Sequence, residues 1–127
     1  MAHILVIEDE DSVRLVIRQI LTRDGHTVVE AKNGKDGIDV FFEQAPDMIV
    51  TDIIMPEQEG IEVILEIKRT SPPTKILAIS GGGHWHDRDF CLRAAQQLGA
   101  DGTLKKPFTR NELLAEINSL LRMRQEI

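Results

Sequence analysis

The residues best suited to chemistry stand directly after short apolar segments. Glu8 and Asp9 follow one β-branched run, and Asp52 ends another. Ser80 ends a third run, and Lys106 follows a weaker fourth. Carboxylates that meet repel one another unless a cation joins them, and hard oxygen ligands of this kind suit Mg²⁺. A lysine and a small hydroxyl beside them would neutralise and hydrogen-bond a phosphoryl group.

These residues meet only if the apolar segments are neighbouring parallel strands. Strands are predicted at residues 3–7, 27–31, 48–51, 75–79 and 102–105. Between them the apolar residues recur with helical spacing, which predicts five helices. Five strands alternating with five helices indicate βαβ units and a parallel sheet with helices on both faces. Ligands of such sheets bind at the carboxyl ends of the strands, where the acids, the hydroxyl and the lysine are gathered.

The helical segments also predict which side chains face the core and where two helices begin. The predicted buried faces include Val16, Ile17, Leu21, Phe41, Phe42, Ile64 and Leu65. Asp11 or Ser12 can cap the first helix, because short polar side chains bind the free N–H groups there. Thr109 and Glu112 have the spacing of a capping box at the start of the last helix.

Length and composition limit the classes of protein that the chain can represent. Its 127 residues suit one domain over residues 1–127, and 21 acidic against 15 basic residues give a net charge of −6. This balance argues against direct nucleic-acid binding. The single cysteine, Cys91, excludes an internal disulfide framework and suits a reducing compartment. No apolar run approaches the roughly 20 residues that span a bilayer, so no membrane contact is expected.

Four segments in register resemble the receiver domain of two-component response regulators: ILVIEDED, MIVTDIIMPEQEG, ILAISG and LKKPF. The resemblance covers essentially the whole chain and implies a flavodoxin-like, doubly wound, five-stranded sheet in the order 2-1-3-4-5. It implies a stand-alone switch in the bacterial cytoplasm that acts by altered binding of a downstream effector protein, not as an enzyme. The implied phosphoryl donor is a sensor histidine kinase or a histidine phosphotransfer protein.

The resemblance also assigns roles to single residues. Asp52 would accept the phosphoryl group from a phosphohistidine. The implied Mg²⁺ ligands are Glu8, Asp9, Asp52 and the backbone carbonyl of Ile54. Ser80 would hydrogen-bond one phosphoryl oxygen, and Lys106 would pair with another. These roles agree with the chemistry, because phosphoryl transfer needs mainly alignment and charge neutralisation.

Three positions distinguish this chain within the family pattern. The family lysine immediately precedes a proline, which selects Lys106 over Lys105 and implies a cis peptide bond before Pro107. Glu8 stands where aspartate is more frequent, and its longer stem still offers carboxylate oxygens. Thr103 stands where many receivers carry an aromatic residue that turns inward on activation. That aromatic movement is therefore not available to this chain. The resemblance then does not specify how the surface of helix four, strand five and helix five would transmit the signal.

The segment 81–87 begins with three glycines and contains Trp85. One interpretation is a loop that responds to phosphorylation and presents Trp85 to a partner. The alternative is a surface loop whose tryptophan folds over a helix.

Three other functions compete with a stand-alone switch. A small Mg²⁺-dependent phosphatase or mutase could use Asp52 as a nucleophile. Such enzymes place a second carboxylate two residues later, where this chain has Ile54. A degenerate receiver could act only as a scaffold, although Asp9, Ser80 and Lys106 are retained. The chain could also be a receiver excised from a longer regulator or a hybrid kinase.

Overall fold

Strands and helices alternate from one end of the chain to the other. The structure is a computed structural model that describes residues 2–53, 59–80 and 88–125. The strands are β1 (His3–Ile7), β2 (Thr27–Ala31), β3 (Met48–Asp52), β4 (Lys75–Ser80) and β5 (Gly102–Lys105). The helices are α1 (Asp11–Arg23), α2 (Gly34–Gln44), α3 (Glu59–Thr70), α4 (Arg88–Leu98) and α5 (Arg110–Gln125).

The five strands form one sheet in the order β2-β1-β3-β4-β5, and every pairing is parallel. The expected fold class and strand order are therefore confirmed. The central strands β1, β3 and β4 are buried along almost their whole length. Burial on both faces explains why they appear in the sequence as continuous apolar runs and not as alternating ones.

The core consists of two apolar clusters, one on each face of the sheet. Leu5 and Ile7 of β1 point into the cluster that also contains residues of α2, α3 and α4. Ile4 and Val6 point into the opposite cluster, which contains residues of α1 and α5. This alternation follows from the two-residue period of a strand. Because both faces of the sheet are covered, polar side chains lie at the strand ends.

Three residues assigned to buried helix faces are exposed. Val16 is 49% exposed, Phe42 is 56% exposed and Leu65 is 46% exposed. Helical periodicity identifies an apolar stripe, but the sheet covers only part of that stripe. In α1 the covered part contains Ile17, whereas Val16 faces outward. The ring of Phe42 instead contacts Phe41 edge to face, with centroids 5.4 Å apart.

The two predicted helix starts have different outcomes. The predicted cap of α1 by Asp11 or Ser12 is wrong, because the N-cap residue is Glu10 and both predicted residues lie in the first turn. The Glu10 side chain makes no capping hydrogen bond. The capping box of α5 is confirmed. The Thr109 N–H donates to Glu112 Oε1 (2.8 Å), and the Glu112 N–H donates to Thr109 Oγ1 (3.1 Å).

Candidate functional site

Three carboxylates meet at the carboxyl ends of β1 and β3. Glu8 and Asp9 directly follow β1, and Asp52 is the last residue of β3. Because β1 and β3 are paired in parallel, their ends lie side by side. Each residue offers a carboxylate oxygen within 4.8 Å of the others. Glu8 and Asp52 are buried, whereas Asp9 is exposed. The structure therefore brings together the three predicted acids, separated by up to 44 positions in the chain.

Lys106 joins two of these acids. Its Nζ donates to Glu8 Oε1 and to Asp52 Oδ2, both at 2.9 Å. The backbone N–H of Lys106 donates to the carbonyl of Ser80 at 2.8 Å, which holds the residue just beyond the β4–β5 pairing. Lys105 is exposed, as expected from the alternation of strand side chains. The position of Lys106 beside the acids thus agrees with its selection over Lys105.

The chain around Lys106 also matches the expected backbone. The peptide bond between Lys106 and Pro107 is cis. Thr103, which stands where many receivers carry an aromatic residue, is half-buried on β5 and lies opposite Ala78 of β4.

Close packing behind Asp52 holds the end of β3 in place. The Ile53 N–H donates to the Ile79 carbonyl at 2.9 Å, so the pairing with β4 continues past Asp52. Gly60 lies in the first turn of α3 against this backbone. A Cβ atom at Gly60 would lie 2.3 Å from the Asp52 carbonyl oxygen and 2.5 Å from the Ile53 Cα. Only glycine permits this approach, and the sequence interpretation missed its role, although a glycine in a first helical turn was visible.

The electrostatics of the site show that negative charge is in excess. Burial raises the pKa of Glu8 to about 7, and the nearby Asp52 adds to the rise, although the hydrogen bond from Lys106 opposes it. Burial by itself would lower the pKa of Lys106, but the hydrogen bonds to Asp52 and Glu8 outweigh it and the pKa is raised. Among the described residues, the ammonium group of Lys106 lies beside three clustered carboxylates and contacts two of them. Such a cluster favours a bound cation.

Ser80 ends β4 beside this cluster. Ser80 is fully buried, and its Oγ has no hydrogen-bond partner within residues 2–53, 59–80 and 88–125. A buried hydroxyl without a partner costs about 1–3 kcal/mol. A ligand oxygen arriving at the strand ends would satisfy it.

The donor set fits Mg²⁺. Glu8, Asp9 and Asp52 offer only carboxylate oxygens, the hard ligands that Mg²⁺ prefers, and the exposed Asp9 leaves the cluster open to water. The predicted fourth ligand, the carbonyl of Ile54, lies outside the described residues.

The expectation for the segment 81–87 with Trp85 also falls outside the described part of the chain. In the part that is described, no helix combines the length and the apolar character needed to cross a membrane.

A doubly wound parallel sheet whose strand ends bring together three acids and a lysine is the arrangement of a receiver-type α/β domain. Comparisons with known proteins agree. The family model for the response regulator receiver domain matches residues 4–118 of this sequence. The chain therefore belongs to the response regulator receiver domain family. Members of this family are components of two-component signalling.

Individual relatives support the same family. Chemotaxis protein CheY of Bacillus subtilis is 36% identical over 123 residues, which cover 95% of this chain and 99% of that protein. Transcriptional regulatory protein AfsQ1 of Streptomyces coelicolor is 36% identical over 122 residues, or 96% of this chain and 52% of that protein. The chain thus spans about half the length of several curated relatives that it matches.

Solved structures show the same fold. A response regulator receiver domain protein from Clostridium thermocellum is 31% identical, with a TM-score of 0.89 and coverage of 98% of both chains. NtrX from Brucella abortus is 26% identical, with a TM-score of 0.89 over 98% of this chain and 27% of that one.

Proposed function

We propose that this receiver domain is a phosphorylation-activated switch in which Asp52 accepts a phosphoryl group. The donor is the phosphohistidine of a sensor histidine kinase or of a histidine phosphotransfer protein. In this transfer the P–N bond of the phosphohistidine breaks, a P–O bond to an Asp52 carboxylate oxygen forms, and the imidazole nitrogen leaves with the electron pair.

The observation that carries the proposal is the contact of Lys106 with Asp52. The Lys106 Nζ lies 2.9 Å from Asp52 Oδ2, in a group where Glu8 and Asp9 supply further carboxylates. An aspartate held at a strand end beside a cation and a cluster of acids is suited to nucleophilic attack on phosphorus, because alignment and charge neutralisation dominate this reaction.

Lys106 and Ser80 have complementary roles in the proposal. The Lys106 ammonium, already 2.9 Å from Asp52, would pair with a phosphoryl oxygen bound to that residue. The Ser80 hydroxyl, which lacks a partner among the described residues, would donate a hydrogen bond to a second oxygen. Both groups would hold the charge that develops on the transferred phosphoryl group.

Glu8, Asp9 and Asp52 are the proposed side-chain ligands of Mg²⁺, together with the backbone carbonyl of Ile54. When bound, Mg²⁺ would neutralise charge on the phosphoryl oxygens and orient the group in line with the aspartate. Because burial raises the pKa of Glu8 to about 7, this carboxyl is partly protonated near neutral pH, and a bound cation would displace the proton.

The remaining parts of the proposal concern context. Residues 1–127 act as a single receiver domain in the bacterial cytoplasm, and the output is altered binding of an effector protein. The domain itself contacts neither nucleic acid nor membrane, and its chemistry is limited to its own phosphorylation and dephosphorylation. This agrees with relatives that are signalling proteins.

The test is phosphorylation by a small donor. The protein is incubated with Mg²⁺ and acetyl phosphate, and intact mass spectrometry measures the added mass. We expect one phosphoryl group, which hydroxylamine removes because it cleaves acyl phosphates. Asp52→Asn should gain none, since an amide oxygen is a poor nucleophile towards phosphorus.

Asp39→Asn is the matched control, because Asp39 is an exposed aspartate on α2, away from the strand ends. It should be labelled like the unaltered protein. A phosphoryl group that persists in Asp52→Asn, or an unlabelled wild type, would contradict the assignment of Asp52.

A further inference from the structure

Arg14 of α1 lies beside the acidic rim, the cluster of Glu8, Asp9 and Asp52, and contacts it through the backbone of Glu8. Its side chain is only 12% exposed. Its Nη1 donates to the Glu8 carbonyl oxygen at 2.7 Å, and its Nη2 donates to Asp11 Oδ1 at 2.5 Å. Its Nε lies 3.4 Å from Glu30 Oε1 on β2. One guanidinium therefore connects the end of β1, the start of α1 and the neighbouring strand.

Glu8 is held at every polar atom, and Arg14 holds the carbonyl. The Glu8 N–H donates to the Ala31 carbonyl at 3.1 Å. The side-chain oxygens accept hydrogen bonds from the Glu10 N–H at 3.1 Å and from Lys106 at 2.9 Å. Loss of Arg14 would leave the carbonyl without that donor, and the peptide unit after Glu8 could then rotate.

That peptide unit leads directly to Asp9. A peptide bond is planar, so a fixed Glu8 carbonyl also fixes the direction of the Asp9 N–H and Cα. Asp9 is the exposed acid of the three, and it lacks the burial that holds Glu8 and Asp52. The position of the Asp9 carboxylate therefore depends strongly on its backbone.

The charge of Arg14 does not compete with a cation for the rim carboxylates. Its donors contact the Glu8 carbonyl and two acids outside the cluster, Asp11 and Glu30. A guanidinium presents donors in several fixed directions, whereas a lysine ammonium is a compact charge that cannot match this set of acceptors.

We propose that Arg14 is a positioning residue for the cation site: it fixes the Glu8–Asp9 peptide and so sets the spacing of the carboxylates before Mg²⁺ binds. The inference rests on the proposed function, because it concerns the same cation. It adds a residue that does not itself contact the metal or the phosphoryl group.

The experiment measures Mg²⁺ affinity by calorimetric titration of the full chain. The variants are Arg14→Gln, Arg14→Lys and the matched control Arg18→Gln. Arg18 also lies near Glu30, at 3.6 Å, but it is 46% exposed and makes no hydrogen bond to the rim in the described part of the chain. We expect Arg14→Gln to weaken Mg²⁺ binding about tenfold, as for residues that orient metal ligands. Arg14→Lys should weaken it less, and Arg18→Gln should stay within twofold.

A second readout separates positioning from general damage. Labelling by acetyl phosphate is followed as Mg²⁺ is raised. Arg14→Gln should recover the wild-type rate at saturating Mg²⁺, because the ligands are present but poorly placed. A rate that stays low at every Mg²⁺ concentration would indicate a purely structural role and overturn the inference, as would affinity within twofold of wild type.

Two outcomes are kept apart by the design. If wild type neither binds Mg²⁺ nor becomes labelled, the proposed function fails. If wild type does both and a folded Arg14→Gln binds Mg²⁺ equally well, only the role of Arg14 fails. Should Arg14→Gln not fold, Arg14→Lys decides, since wild-type affinity in that variant would also overturn the inference.

Discussion

A largely buried lysine stands at each end of the sheet, and the surroundings of the two differ. At the carboxyl ends, Lys106 is 12% exposed and donates to two of the clustered carboxylates. At the amino ends, Lys68 is 18% exposed and lies 2.7 Å from Asp101 Oδ2. Its Nζ also donates to the carbonyls of Thr74 (2.8 Å) and Pro72 (3.1 Å). Both lysines are anchored, but Lys106 lies beside a cluster of three acids, whereas Lys68 contacts the single carboxylate of Asp101 in the described part of the chain.

At the amino ends the polar groups described here are paired with one another. Asp101 Oδ2 also accepts the Ile76 N–H at 2.9 Å, and Lys75 lies 3.8 Å from its other oxygen. Lys68 therefore joins α3 to the starts of β4 and β5 with its donors satisfied. At the carboxyl ends three acids face one ammonium, and the Ser80 hydroxyl lacks a partner among the described residues. Paired polar groups thus make a structural contact at the amino ends, whereas clustered acids and an unpaired hydroxyl among the described residues suit a ligand at the carboxyl ends.

The largest expected effect is on phosphorylation. Lys106→Met should slow labelling by acetyl phosphate about 100-fold, since the ammonium that would stabilise the transferred group is lost. Lys68→Met should change the labelling rate by less than twofold, because Lys68 lies at the other end of the sheet. Initial rates by intact mass spectrometry measure both. Equal losses in the two variants would remove the distinction between the ends.

A smaller effect, on stability, should show the opposite preference. Lys68→Met removes the closer of the two lysines beside Asp101 and the donor to two carbonyls, and we expect a loss of about 2 kcal/mol. Urea unfolding measures this loss, with Lys35→Met as control because Lys35 is exposed on α2. The control should stay within about 0.5 kcal/mol of wild type. A Lys68→Met variant as stable as the control would show that this contact is not structural.

The smallest expected effect is a pH dependence at the carboxyl ends. Glu8 has a pKa of about 7 in the fold against 4.5 for the free side chain, so the folded state binds its proton more tightly. Without Mg²⁺, the contribution of Glu8 to stability is therefore full below about pH 4.5 and falls as the pH rises towards 7. Glu8→Gln mimics the protonated form and should be more stable than wild type by about 1 kcal/mol at pH 8.

Urea unfolding in EDTA from pH 4.5 to pH 8 checks this dependence, with Glu43→Gln on the exposed face of α2 as control. The advantage of Glu8→Gln should vanish at the acid end of the range. Saturating Mg²⁺ should remove it at pH 8, because wild type then gains binding energy that the variant lacks. A difference that does not change with pH would contradict the burial of an ionised Glu8.

Much of the fold could be predicted from the sequence. The bounds of β1, β2 and β5 agree with prediction, because β-branched runs between turn residues have few alternative structures. The strand order came from the family resemblance, since local patterns do not specify it. The faces of Val16, Phe42 and Leu65 were predicted wrongly, because periodicity does not say how wide a strip of each helix the sheet covers.

The candidate site was predictable to a different extent. The meeting of Glu8, Asp9 and Asp52 followed from the rule that parallel strands end at one edge. The supporting residues Gly60 and Arg14 were not identified. Gly60 matters because a Cβ atom there would lie 2.3 Å from the Asp52 carbonyl oxygen, and Arg14 matters because it donates a hydrogen bond to a carbonyl. Neither property has a signature in residue type.

The sequence by itself determined the alternation of strands and helices, the family, and the residue types available at the strand ends. Those properties depend on local preference and on the order of segments. Only the tertiary structure decided that Lys106 contacts both Glu8 and Asp52, that the pKa of Glu8 rises to about 7, and that the Ser80 hydroxyl is fully buried. The physical reason is that distance and desolvation arise when segments far apart in the chain pack together, and these two quantities set the strength of every charge interaction.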